Sequence, residues 1–174
     1  MPSLHFHVMS GLMSIRDALS PRRPVLEEAG LAPGMTVLDY GCGPGSYTMV
    51  AAEMVGPTGR VYAADIHPMA IERIERRASK RGLDNITTIQ TDRDTGLPGG
   101  SVDMALMYDV LQLLSEPRSV LEEVHRVLRP DGVLSISWHD VPKVERLFEP
   151  MREGLFELRK RGRHCLNYVP TPGQ

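Results

Sequence analysis

Strand-length apolar runs alternate with helix-length amphipathic stretches along most of the chain, and this rhythm restricts the fold more than any other feature. Met35–Tyr40, Arg60–Asp65, Asn85–Thr91, Val102–Tyr108 and Gly132–Trp138 are the short runs. Their nearly continuous apolar character suits strands covered on both faces. Helical patterns lie between them. Ser46–Met54 follows a glycine cluster. Pro68–Arg81 has Ile71, Ile74 and Ala78 on one stripe, Pro68 at a first helical position and Gly82 just past the end. Pro117–Leu128 has Val120, Leu121, Val124 and Leu128 as its stripe, with Ser115 or Glu116 placed to cap it. Arg129-Pro130-Asp131-Gly132 then reads as a stop and a turn. This spacing predicts right-handed βαβ units in a doubly wound α/β fold around a parallel sheet.

After Trp138 the rhythm changes. Val141–Glu153 reads as a helix. Leu155–Lys160 and His164–Val169 read as an antiparallel hairpin around Arg161-Gly162-Arg163. Ahead of the first strand, Val8, Leu12, Ile15 and Leu19 recur at helical spacing. No repeat or linker interrupts the chain. The expected organisation is one domain over residues 1–174: an N-terminal helical lid segment (1–30), a binding core (31–140), and a C-terminal helix with a hairpin (141–174).

Composition excludes several classes. The 174 residues are 41% hydrophobic and 24% charged, the balance of a soluble globular chain. Twenty basic and 22 acidic side chains give a net charge of −2, which argues against a stable nucleic-acid partner. No apolar stretch approaches the ~20 residues needed to span a bilayer. The first dozen residues lack the basic region and apolar core of a secretory signal. Two cysteines, Cys42 and Cys165, make neither a disulfide framework nor a zinc pattern, so a reducing cytoplasm is expected. His5 and His7 lack a third ligand, so no metal site is expected.

The chemistry concentrates in Val37-Leu38-Asp39-Tyr40-Gly41-Cys42-Gly43-Pro44-Gly45-Ser46. A strand runs into a glycine loop and then a helix. Glycines let the backbone turn sharply and let a ligand approach without a Cβ in the way. The spacing is GxGxG, not the GxGxxG of dinucleotide binders. Asp39 ends the first strand beside this loop; it would repel a pyrophosphate but suit a cationic amine. Asp65 ends the second strand, where a carboxylate meets ribose hydroxyls in doubly wound sheets. Asp92 ends the third, where it can accept from an adenine amino group. Singly these acids could be a cap, a turn acid and an Asx turn. Together, at the ends of adjacent strands, they ask for a ligand with an amine, a ribose and an amino-purine but no phosphate.

This combination resembles the class I S-adenosylmethionine-dependent methyltransferases, over roughly Leu31 to Trp138. Val37–Ser46 is similar to the family's first motif and Val61–Ile66 to its second. Asp92 with Gly96-Leu97-Pro98 and Ser101-Val102-Asp103 is similar to the adenine-side motif. Leu128–Leu134 resembles the family's LKPGG turn, with Asp131 replacing the first glycine. Within the family the sequence looks most like the ubiquinone/menaquinone-biosynthesis type. The resemblance implies a Rossmann-like, seven-stranded, mostly parallel sheet with a C-terminal antiparallel hairpin, which Leu155–Val169 supplies, so the sheet is expected to be complete. It implies S-adenosyl-L-methionine as donor and S-adenosyl-L-homocysteine as product. The expected donor-binding set is Asp39, Gly41, Cys42, Gly43, Asp65, Ile66, Asp92, Arg93 and Tyr108.

The acceptor belongs beyond the fourth strand, where Tyr108, Asp109 and Gln112 follow in sequence. Asp109 and His139, after the fifth strand, are the candidate catalytic residues, each able to orient an acceptor or take its proton. Asp109 as a helix cap and His139 as a solvated loop residue are the plain alternatives. Gln112 stands where many relatives carry histidine. The apolar Phe6, Val8, Met9, Leu12 and Met13 offer a lid and favour a small-molecule or lipid-like acceptor. The same segment could instead pack on the sheet flank or on a second subunit of a homodimer. Arg159, Lys160, Arg161 and Arg163 leave an RNA or protein substrate as the alternative, and a non-catalytic donor-binding regulatory module is a third reading.

Overall fold

The computed structural model describes residues 22–137 and 141–172. Helix α1 (Arg22–Ala29) precedes β1 (Thr36–Tyr40), α2 (Ser46–Val55), β2 (Arg60–Asp65), α3 (Pro68–Arg81) and β3 (Ile86–Gln90). Then come β4 (Val102–Tyr108), a 3-10 turn (Leu111–Leu113), α4 (Pro117–Val127), β5 (Leu128–Ser137), α5 (Val141–Arg152), β6 (Phe156–Arg161) and β7 (Leu166–Pro170). Seven strands form one sheet in the order β3-β2-β1-β4-β5-β7-β6. The first five are parallel; β7 runs antiparallel to β5, and β6 antiparallel to β7. The α/β fold with its C-terminal antiparallel pair is the architecture the strand–helix rhythm and the family resemblance imply.

Alternation along the central strands builds two layers. Met104, Leu106 and Tyr108 of β4 pack with Val37, Leu26 of α1, and Ala51, Ala52 and Val55 of α2. Ala105 and Met107 face the other way, onto Leu121 and Val124 of α4, Phe148 of α5 and Tyr168 of β7. Burial on both faces explains why these strands read as continuous apolar runs. Helix α3 starts at Pro68 and ends at Gly82, whose N–H satisfies the Ala78 and Ser79 carbonyls. Helix α4 starts at Pro117 after the N-cap Glu116, whose side chain makes no cap bond.

One expectation is corrected. Arg129-Pro130-Asp131-Gly132 is not a free turn but an irregularity inside β5. Val102 pairs with Leu128, the register shifts, and pairing resumes at Met104 with Val133. Asp103 holds the displaced segment by its ion pair to Arg129, while its other oxygen accepts from the Thr36 N–H at 2.7 Å. The sequence of a turn serves a bulge when a neighbouring strand supplies such a fastener. The helical spacing at Val8, Leu12, Ile15 and Leu19, and the lid residues Phe6 to Met13, lie outside the described residues. Of the 1–30 segment, only α1 and the start of the next connection are described. Leu26 and Ala29 of α1 are buried in the core.

Candidate active site

The carboxyl ends of β1, β2, β3 and β4 open onto a cleft of about 410 Å³. Its floor is the loop from β1 to α2. Gly41 and Cys42 both donate their N–H to the Ala64 carbonyl, at 2.8 and 3.0 Å, which turns the chain sharply off the sheet. Gly41 has φ +74° and no room for a Cβ, which would overlap Val110. Gly45, φ +78°, packs against Ile74 in the same way. Glycine is therefore required here by conformation and by contact at once. Arg77 of α3 donates to the Pro44 carbonyl and fastens the far side of the loop.

The predicted acids converge, each in a different setting. Asp39 is 3% exposed and accepts from Thr48 Oγ1, in the first turn of α2, at 2.6 Å. Burial pushes its carboxyl up to about 6, the Thr48 bonds offset part of that, and the Asp65 charge adds to it. Asp65 Oδ2 accepts from the Gly43 N–H and Oδ1 from the His67 N–H, both at 2.9 Å. It thus joins the glycine loop to the start of α3, the turn role considered for it, while still lining the cleft. Asp92 lines the cleft too, and its carbonyl accepts from the Tyr40 hydroxyl at 3.0 Å.

Gly41, Cys42, Gly43, Ile66, Tyr108 and Asp109 complete the predicted residues found at the cleft. Burial, with Asp39 and Asp65 nearby, raises the Cys42 thiol well above its ordinary range, so it stays protonated and unreactive. Ile66 is 56% exposed at the rim. The Tyr108 hydroxyl bonds Ser135 Oγ at 2.9 Å. Asp109 has φ +57° and ends β4 by donating its N–H to the Ser137 carbonyl. It is not the cap of the following 3-10 turn, whose N-cap is Val110. Arg93 is not brought in: its guanidinium turns out to Asp94, 3.0 Å away. Gln112 is exposed and donates to the Asp109 carbonyl. His139 lies outside the described residues.

Sequence reasoning missed a further group at this cleft, which includes Arg22, Tyr47, His67 and Thr91. The Arg22 guanidinium lies 4.7 Å from the Tyr47 ring centroid and donates to its hydroxyl at 3.1 Å. Tyr47 meets Tyr108 edge-to-face with centroids 4.5 Å apart. Among the described residues lining the cleft, Arg22 is the only arginine or lysine. Tyr47 carried the one available signal, as an aromatic in the first turn after a glycine loop. Nothing local marks Arg22.

Comparison with known proteins settles the family. A family model for a methyltransferase domain matches residues 31–168. The chain belongs to the S-adenosylmethionine-dependent methyltransferase family. A solved methyltransferase of this dependence from Aquifex aeolicus is 30% identical, with a TM-score of 0.70, over 86% of this chain and 88% of that one. The demethylmenaquinone methyltransferase of Geobacillus stearothermophilus is 31% identical over 75% of this chain and 56% of its own length. The nocamycin O-methyltransferase of Saccharothrix syringae is 33% identical over 66% of this chain and 41% of its own. The chain thus spans about half the length of the curated relatives it matches. The cleft suits the family's donor by its own chemistry. A Cβ at Gly43 would meet open space, so the loop presents bare backbone. Asp39 is a buried carboxyl whose side-chain hydrogen bond comes from the neutral Thr48 hydroxyl, a setting a bound amine would complete.

Proposed function

We propose that the protein transfers the methyl group of S-adenosyl-L-methionine to a small or hydrophobic acceptor by in-line displacement, releasing S-adenosyl-L-homocysteine. The observation that carries this reading is the gathering of Asp39, Asp65 and Asp92 around one glycine-floored cleft. The bound donor supplies an already activated methyl group. The protein's task is alignment and exclusion of water, worth up to ~7–11 kcal/mol in favourable intramolecular cases.

In this reading Asp39 takes the donor's amine and Arg22 its carboxylate. Asp65 accepts from the ribose hydroxyls and Asp92 from the adenine amino group, beside the apolar rim residue Ile66. The backbone of Gly41, Cys42 and Gly43 lies along the donor. Tyr47 and Tyr108 wall the reacting end. Asp109 orients the acceptor or takes its proton, and His139 is the second candidate for that role. Residues 1–174 act as one methyltransferase domain, open to homodimer formation. Two buried free thiols suit a reducing cytoplasm.

Among the described residues no helix is long and apolar enough to cross a membrane. The curated relatives named for demethylmenaquinone support a quinone-like acceptor. The pairing of Arg161 of β6 with Glu145 weighs against a nucleic-acid partner. Calorimetry with S-adenosylmethionine and NAD tests the donor, and methyl transfer to quinone, lipid, small-molecule and RNA pools tests the acceptor. Tight NAD binding without S-adenosylmethionine binding would refute the reading. Donor binding without turnover on any pool would favour a regulatory module.

A further inference from the structure

Helix α1 meets the cleft at one end and the C-terminal hairpin at the other. Arg22, its first residue, lies against Tyr47. Glu28, near its last turn, reaches the β6–β7 turn. Glu28 Oε2 pairs with His164 Nδ1 at 2.7 Å, and Oε1 accepts from the His164 backbone N–H at 3.0 Å. The Cys165 thiol lies 3.9 Å from Oε1. Lys160 Nζ donates to the Glu28 carbonyl at 3.0 Å, and Asn167 Nδ2 to the Ala29 carbonyl at 2.8 Å. The Glu28 side chain is 18% exposed against 44% for His164. Burial works to raise the Glu28 carboxyl, but the His164 and Cys165 bonds outweigh it and hold it below its ordinary range.

The turn is shaped around this carboxylate. A Cβ at Gly162 would overlap Glu28 Oε1 and come within 3.0 Å of the Cys165 carbonyl. Gly162 donates its N–H to that same carbonyl at 2.9 Å, which closes the turn. The bare glycine is the space into which the carboxylate folds.

We propose that Glu28 is a positioning residue: clamped by His164 in the space left by Gly162, it sets the seating of α1 and so holds Arg22 and Tyr47 in place at the donor cleft. The proposal rests on the donor reading given above. A helix of eight residues is only about 12 Å long and moves as a rigid rod. It is fixed to the core through Leu26 and Ala29, whose contacts set whether it docks. Polar contacts at its last turn set where its first residue ends up. A 1 Å error there displaces the guanidinium from whatever it recognises. The clamp therefore acts on the amino-acid end of the donor, the side where Arg22 and Tyr47 lie, and not on the adenosine end at Asp65 and Asp92.

The test compares two compounds. S-adenosylhomocysteine carries the amino-acid end and methylthioadenosine lacks it. Calorimetry on the full chain measures both with the parent, Glu28→Ala, Gly162→Ala and the double variant, alongside melting temperature. Gly162→Ala evicts the carboxylate without altering any clamp side chain. Each single variant is expected to weaken S-adenosylhomocysteine about fivefold and methylthioadenosine less than about twofold. The double variant should be no weaker than Glu28→Ala alone. Should Glu28→Ala unfold, Glu28→Gln, which keeps an oxygen for the His164 N–H but drops the charge, carries the same comparison. Unchanged S-adenosylhomocysteine affinity, or equal weakening of both compounds, overturns the proposal while leaving the donor reading intact. A parent protein that binds neither compound overturns both.

Discussion

Thr48 donates its hydroxyl to Asp39 across 2.6 Å of buried space, joining the first turn of α2 to the end of β1. That single bond, with help from the Thr48 backbone, is what the folded protein offers a carboxyl removed from water. It does not suffice, and the carboxyl rests at about 6 instead of 3.8. In the proposed reading, the donor's amine is the cation that completes this under-compensated setting.

The pH dependence follows. The folded state binds the Asp39 proton more tightly than the unfolded chain, so this group's stabilising contribution is present in acid. It is lost as pH rises toward 6, by on the order of 2–3 kcal/mol. Donor binding runs the other way, because an amine needs the ionised carboxylate. S-adenosylmethionine affinity should fall about tenfold from pH 7 to pH 5. Asp39→Asn should flatten that step, bind donor poorly at every pH, and melt no lower than the parent at pH 8. Titration calorimetry and thermal denaturation across pH 5 to 8 check all three. A pH step that survives in the variant would assign it to a group other than Asp39.

Asp109 carries a backbone demand that can be separated from its carboxylate. At φ +57° it is the one non-glycine residue with positive φ among those described. Asp and Asn tolerate this region, whereas a β-branched residue does not. Asp109→Asn should therefore keep stability within about 0.5 kcal/mol while slowing turnover. Asp109→Val should cost about 1–2 kcal/mol in denaturant unfolding. Full turnover in the Asn variant would remove Asp109 from the catalytic candidates.

Gly41 tests the floor of the cleft. Gly41→Ala must meet both Val110 and a left-handed φ. Strain of about 1–3 kcal/mol and overpacking of similar size are expected to add. The variant should unfold at clearly lower denaturant, and Gly41→Ala with Val110→Ala should recover only part of the packing share, because the Val110 Cβ, 2.8 Å from the added Cβ, remains. Full recovery in the pair would show that the backbone conformation costs nothing.

What could be read in advance follows the dimension of the signal. Asp39, Asp65 and Asp92 were legible because each stands at or just past the carboxyl end of a strand, and those ends share one edge in a parallel sheet. The glycine loop was legible because positive φ and close approach select one residue type. Arg22 was not, since it enters from α1, whose docking depends on Leu26, on Ala29 and on a hairpin more than 130 positions away in sequence. Arg129-Pro130-Asp131-Gly132 misled because turn and bulge favour the same residues, and only the Asp103 contact from the adjacent strand decides between them. The left-handed Asp109 leaves no mark in the sequence, since Asp is also a common cap.

Asp65 separates the donor reading from a purely structural one. Its two oxygens already accept from Gly43 and His67, so Asp65→Ala loosens the loop and the start of α3 together. That alone should lower stability by about 1–3 kcal/mol, the cost of leaving buried donors unsatisfied. Each carboxylate oxygen also has a second lone pair, and these are what a ribose would use. Loss of a bond to a charged acceptor costs about 1.5–3 kcal/mol, so donor affinity should fall tenfold or more beyond the stability effect. The two are resolved by measuring S-adenosylhomocysteine binding at a temperature where the variant is fully folded. Weakened binding of the folded variant assigns the ribose contact to Asp65. Parent-like affinity in that state would leave it a fastener of the glycine loop only, and the ribose would need another acceptor at the end of β2.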